Sequence, residues 1–139
     1  MIQLIVGNKG KGKTKHLLDR VNGQIKTASG NIVYLDKSTK NMHELDNKVR
    51  LINVTEYPLN NSSEFIGFIC GILSQDYDLE QMYLDSFLSI AKLEAAELDT
   101  ALTELEKISE QFKVTLVLSV SVDEADLSEY AKSKVIISC

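Results

Sequence analysis

The chain has 139 residues, 44% hydrophobic and 25% charged, with a formal net charge of −5. This is the length of one domain, residues 1–139, with ordinary globular composition, and no apolar run approaches the ~20 residues of a membrane span. Cys70 and Cys139 are too few for a disulfide framework or a zinc site, and no secretion leader is expected, which together point to the cytoplasm.

In chain order, Ile2-Gln3-Leu4-Ile5-Val6 is a short β-branched run and predicts a strand over 2–6. A glycine-rich stretch follows, and a helix is predicted over 13–25, with Leu17, Leu18 and Val21 at helical spacing and Gly23 weakening its end. Ser29-Gly30 signals a turn, and strands are predicted over 31–36 and 50–54. The second helix, 62–74, has Asn61 with Glu64 as a capping pair. It is apolar nearly all round and carries Gly67 and Gly71 at i, i+4. It is expected either to lie on the sheet, its glycines allowing close approach, or to meet another subunit or protein partner. A strand over 81–85 precedes a long helix over 89–112. Ile90, Leu93, Leu98, Ala101, Leu105, Ile108 and Phe112 form its apolar stripe. A strand over 114–120, a helix over 123–132 and a strand over 134–138 complete the chain. This alternation predicts an α/β fold with a mostly parallel sheet of five to six strands. Ligands of such sheets sit beyond the carboxyl ends of the strands.

The glycine-rich stretch reads Gly7-Asn8-Lys9-Gly10-Lys11-Gly12-Lys13-Thr14, which is G-x-x-x-x-G-K-[ST] between a strand and a helix. Glycines permit backbone conformations closed to other residues. Successive N–H groups can then converge on a phosphate, at the positive end of the helix dipole. Lys13 can reach the β/γ-phosphates, and the Thr14 hydroxyl can hold Mg²⁺. Charge agrees with this reading. Residues 1–26 carry six basic groups against Asp19 alone, whereas the rest of the chain has nine basic and nineteen acidic groups. Such a patch suits a phosphorylated small molecule. A nucleic-acid duplex usually demands a broad basic face, and none is expected here.

The motif resembles that of P-loop NTPases. The resemblance implies their three-layer α/β/α fold, with ATP and Mg²⁺ as cofactors. The runs Met1 to Gly7, Arg50 to Tyr57 and Tyr83 to Leu88 also resemble small bacterial proteins described only as ATP-binding or, loosely, as twitching-motility ATPase-like. A strand-end aspartate should reach Mg²⁺ through water. Asp85, closing Gln81-Met82-Tyr83-Leu84-Asp85, is the first candidate and Asp36 the alternative. Many NTPases of the additional-strand type carry Glu after that aspartate, where this chain has Ser86. By resemblance to recombinase-type relatives, Glu56 is a candidate catalytic residue beside Lys13. Ser119 resembles a polar sensor of the γ-phosphate.

Other family marks are missing. Arg20 and Arg50 are the only arginines, too few for the arginine-rich lid of nucleotide monophosphate kinases. The zinc cysteines of thymidine kinases and the guanine-reading N-K-x-D motif are absent as well. The expectation is a slow ATPase or nucleotide-dependent switch, with a small-molecule phosphotransferase as the alternative. It is soluble and free of membrane, and a homo-oligomer or protein partner could engage helix 62–74.

Overall fold

The computed structural model describes residues 1–139. In chain order the elements are β1 (Ile2–Val6), α1 (Lys13–Gln24), β2 (Asn31–Asp36), β3 (Arg50–Asn53), α2 (Ser62–Gln75), β4 (Leu79–Leu84), α3 (Phe87–Ile90), α4 (Leu98–Phe112), β5 (Thr115–Val120), α5 (Glu129–Lys132) and β6 (Val135–Ser138). All six strands join one sheet in the order β3-β2-β4-β5-β1-β6, and every pairing is parallel. The central strands are buried on both faces, which is why they read as continuous apolar runs such as Leu4-Ile5-Val6.

Alternation along the strands divides the core in two. Ile5, Ile32, Tyr34, Tyr83 and Val117 face α1, which meets them with Leu17, Leu18 and Val21. Each of those helix side chains contributes ~1.5–3 kcal/mol by leaving water. Leu4, Val6, Val33, Leu35, Met82, Leu84, Leu116 and Leu118 face the other way, toward α2 through α5. The result is a three-layer α/β/α sandwich with one helix on one side and four on the other. No helix is long and apolar enough to cross a membrane.

Gly30 has a packing reason. A Cβ there would lie 2.2 Å from the Asp78 carbonyl oxygen, which accepts from the Asn31 amide at 2.7 Å. The close approach sets where β2 starts against β4.

Four expectations are corrected. The helix expected over 89–112 is two helices, because Lys92 takes a left-handed conformation (φ 59°) and ends α3. Leu93 N–H then donates to Leu88 O at 2.9 Å and Lys92 N–H to Ser89 O at 3.3 Å, the paired bonds of a Schellman stop. Along α4, Leu98, Ala101, Leu102, Leu105 and Ser109 are buried, whereas Phe112 is 40% exposed. The helix expected over 123–132 is a 3-10 turn, Glu124–Asp126, followed by the single-turn α5. Asp123 accepts from Ala125 N–H and Ser128 from Ala131 N–H, so local side-chain bonds interrupt the longer helix. In α2, Phe65, Ile69 and Leu73 are buried and Asn61 caps the helix as expected. Gly67 and Gly71 instead face outward with nothing within 4 Å of a Cβ added there, so they mediate no close approach.

Candidate functional site

The stretch from Gly7 to Gly12 connects β1 to α1 at the carboxyl edge of the sheet. Gly10 (φ 86°) and Gly12 (φ 85°) take left-handed conformations that favour glycine. Gly7 is held differently. Its N–H donates to Val122 O at 3.0 Å, and a Cβ on it would meet the Cys139 Cβ at 2.9 Å. The next residue along the edge, Cys139, is tied by its own N–H to Val6 O. The loop therefore springs from a fixed root.

Within the chain, the amides of Asn8, Lys9, Gly10, Gly12, Lys13, Thr14 and Lys15 find no backbone acceptor. The last three belong to the first turn of α1, where intrahelical partners do not exist. Seven donors thus remain available in the loop and at the helix N-terminus, an arrangement that accepts an anion. Lys13 is nearly buried and folds back on the loop, donating from Nζ to Asn8 O at 3.1 Å. Burial lowers its pKa, against raising influences from Cys139 and Asp85.

Asp85 is the first residue past β4 and is buried. Three hydroxyls converge on its carboxylate. Tyr34 donates to Oδ2 at 2.9 Å, Ser119 to Oδ1 at 2.7 Å, and Thr14 to Oδ2 at 3.0 Å and Oδ1 at 3.3 Å. The molecule's three ion pairs lie elsewhere, so no lysine or arginine contacts this carboxylate directly, although Lys13 lies near enough to feel its charge. Burial first, and the Asp85 carboxylate second, hold the Tyr34 phenol well above its ordinary pKa, so it stays a proton donor. Ser86 follows in a left-handed conformation (φ 55°), and its N–H donates to Ser119 Oγ at 2.7 Å. A non-glycine residue held there costs of order 1–3 kcal/mol, and such strain clusters at functional sites.

Asp36 ends β2, next to Asp85. It is also buried and accepts from the Lys37 amide at 2.7 Å and from Asn41 Nδ2 at 3.3 Å. Burial raises its pKa, the Lys37 amide opposes the rise, and Asp85 adds to it.

These groups border a cleft of about 490 Å³ lined by Lys9, Gly10, Gly12, Lys13 and Thr14 from the loop and α1. Opposite them stand Asp36, Lys37, Lys40, Asp85, Ser86, Ser119 and Ser121. Four lysines against two aspartates leave the cleft positive within an acidic protein. Ser121 also lines a neighbouring cavity of about 660 Å³, bordered by Asn8 and by the apolar Ala96, Leu98, Val122 and Leu127.

The expected residues from Gly7 to Thr14 thus form the loop, and Lys13, Thr14, Asp85, Asp36 and Ser119 come together around one cleft. Glu56 does not join them. It is exposed on the 3-10 turn Val54–Glu56 and borders a different cavity, with His43 and Arg50. The sequence reading missed Tyr34. Its signal was available in the alternation that sends Tyr34 into the α1 face, because a buried tyrosine hydroxyl usually finds a partner. No protein-family model matches the chain, and no curated protein matches it in sequence.

Proposed function

We propose that this protein is a small cytoplasmic P-loop protein that binds ATP with Mg²⁺ and acts as a slow ATPase or nucleotide-dependent switch. One observation carries the reading: the unpaired amides of Lys9, Gly10, Gly12, Lys13 and Thr14, the Lys13 side chain, and the Thr14–Asp85 pair border a single positive cleft. The amides would surround a β-phosphate, and Lys13 would leave Asn8 O for the β/γ-phosphate oxygens. Thr14 and Asp85 would hold Mg²⁺, offering the hard oxygen donors that it takes. Bound there, Mg²⁺ would neutralise charge on the phosphates. The strand order supports the additional-strand division, since β5 lies between β1 and the aspartate-bearing β4.

Slow turnover follows from what surrounds the cleft. Its two carboxylates are Asp36 and Asp85, and Ser86 stands where many relatives of this type carry Glu. No arginine lines it. A water molecule attacking the terminal phosphorus would therefore lack both a dedicated general base and an arginine clamp. A switch role needs only that occupancy be transmitted. Ser119 bridges Asp85 to the Ser86 amide at the start of α3, so a shift of the carboxylate would be felt there. The second reading is a small-molecule phosphotransferase. The observation favouring it is the cavity beyond Ser121, large enough for an acceptor beside the cleft.

The test is phosphate release from MgATP by the purified protein, beside binding of MgATP followed calorimetrically. Tight binding with release that is slow and vanishes in Asp85→Asn is expected. Absence of binding removes the proposal. Rapid release only when a hydroxylated acceptor is added would favour the phosphotransferase.

A further inference from the structure

We infer that Tyr34 is a positioning residue that sets the metal preference of this site, favouring Mg²⁺ over Ca²⁺ by clamping the Asp85 carboxylate. The inference rests on the MgATP reading and adds to it a residue with no place in the loop motif. A carboxylate has about four lone-pair positions. On Asp85, Tyr34 occupies one at Oδ2, Ser119 one at Oδ1, and the Thr14 hydroxyl spans both oxygens.

The Tyr34 clamp is rigid. Tyr34 is fully buried, and its ring stacks on Tyr83 at 6.3 Å between centroids and 11° between planes. The Tyr83 hydroxyl donates to Gln81 Oε1 at 2.7 Å, and Gln81 Nε2 donates to Gln24 Oε1 on α1 at 3.0 Å. The chain of contacts runs from the helix that carries Thr14 back to the carboxylate that faces it.

A carboxylate anchored at both oxygens cannot turn to offer its whole edge to a cation. It remains a good acceptor for metal-bound water. That combination suits Mg²⁺, which dehydrates reluctantly and keeps several waters. It penalises Ca²⁺, which takes carboxylates directly, in mono- or bidentate fashion and in flexible geometry. Removing the Tyr34 hydroxyl while keeping its ring frees Oδ2 and lets the carboxylate rotate.

The experiment compares the affinity for ATP with MgCl₂ and with CaCl₂, by titration calorimetry, in wild type and Tyr34→Phe. The wild type should favour Mg²⁺, and Tyr34→Phe should shift the Ca²⁺-to-Mg²⁺ affinity ratio toward Ca²⁺ by roughly tenfold, the scale of one hydrogen bond to a charged group. A ratio within one protein does not depend on a general loss of stability. Wild-type binding with an unchanged ratio in Tyr34→Phe overturns this inference alone. Absence of wild-type binding with either ion overturns the nucleotide reading and this inference with it. If Tyr34→Phe does not fold, Ser119→Ala releases the other oxygen and should move the ratio the same way. An unmoved ratio there overturns the inference too.

Discussion

Replacing Asp85 by alanine should cost the unliganded protein far more stability than replacing it by asparagine. In wild type the carboxylate satisfies the hydroxyls of Tyr34 and Ser119, both essentially removed from solvent, and that of the half-buried Thr14. Alanine orphans the two buried protons. Leaving a buried polar group unpaired costs about 1–3 kcal/mol. Two such groups give about 2–6 kcal/mol, and water entering from the adjoining cleft holds the loss toward the lower end. Asparagine keeps an oxygen acceptor, and a hydroxyl facing its NH₂ can accept instead of donate. It also removes a buried charge that no lysine or arginine contacts directly, so its cost should stay below about 1.5 kcal/mol. Urea unfolding without nucleotide reads both values, provided the transition is two-state. An alanine variant as stable as wild type would refute the reasoning. It would mean that the unpaired charge costs more than the three hydroxyls return.

Three further outcomes are expected. Asp36 is held above its ordinary pKa chiefly by burial, so the folded protein binds its proton more tightly than the unfolded chain does. Its contribution to stability is therefore greatest below the unfolded pKa and declines as pH rises through the folded value. Asp36→Asn should remove that decline and stabilise the unliganded protein at pH 7, read by denaturant unfolding from pH 3 to 8; an unchanged pH slope would count against the assignment. Gly30→Ala should destabilise by about 1–3 kcal/mol because its Cβ would strike Asp78 O, whereas Gly67→Ala, facing open space within α2, should stabilise by about 0.5–1 kcal/mol. Melting temperatures moving in the same direction for both would contradict the packing described. Glu56→Gln should leave MgATP affinity and phosphate release unchanged, since Glu56 borders another cavity; a fall in either would bring Glu56 into the cleft.

Most of the architecture was legible in the sequence because the strands obey simple rules. Each central strand is a short apolar run, and each strand begins and ends within about two residues of expectation. The loop's place between β1 and α1 was legible because a glycine-rich run separates a β-branched strand from a helical pattern, and Gly10 and Gly12 take the left-handed conformations that glycine permits. The interruption of the long helix was not, since Lys92 rather than a glycine takes the left-handed stop. Ser86 and Lys113 hide left-handed turns in the same way. The orientation of Gly67 and Gly71 depends on which stripe of a mostly apolar helix meets the sheet, and the pattern alone is ambiguous there. Asp85 could be named from its place at a strand end. For Tyr34 the alternation along β2 signalled a buried hydroxyl in need of a partner, but not that the partner is Asp85, because the two are 51 positions apart and meet only after β2 and β4 pair.

The central claim is that the loop and its cleft bind MgATP, and thermal melting in MgATP, MgADP, MgGTP and free phosphate tests it most directly. A ligand at ~100 times its dissociation constant adds about 2.7 kcal/mol to stability, which for a domain of this size raises the melting point by several degrees. Lys13→Ala is the control. It should melt near wild type without ligand, since Lys13 Nζ makes one internal hydrogen bond, to Asn8 O, yet lose most of the MgATP shift. The account predicts a rise with MgATP in wild type that is largely lost in Lys13→Ala. No rise with any nucleotide, or an equal rise in both proteins, would contradict it.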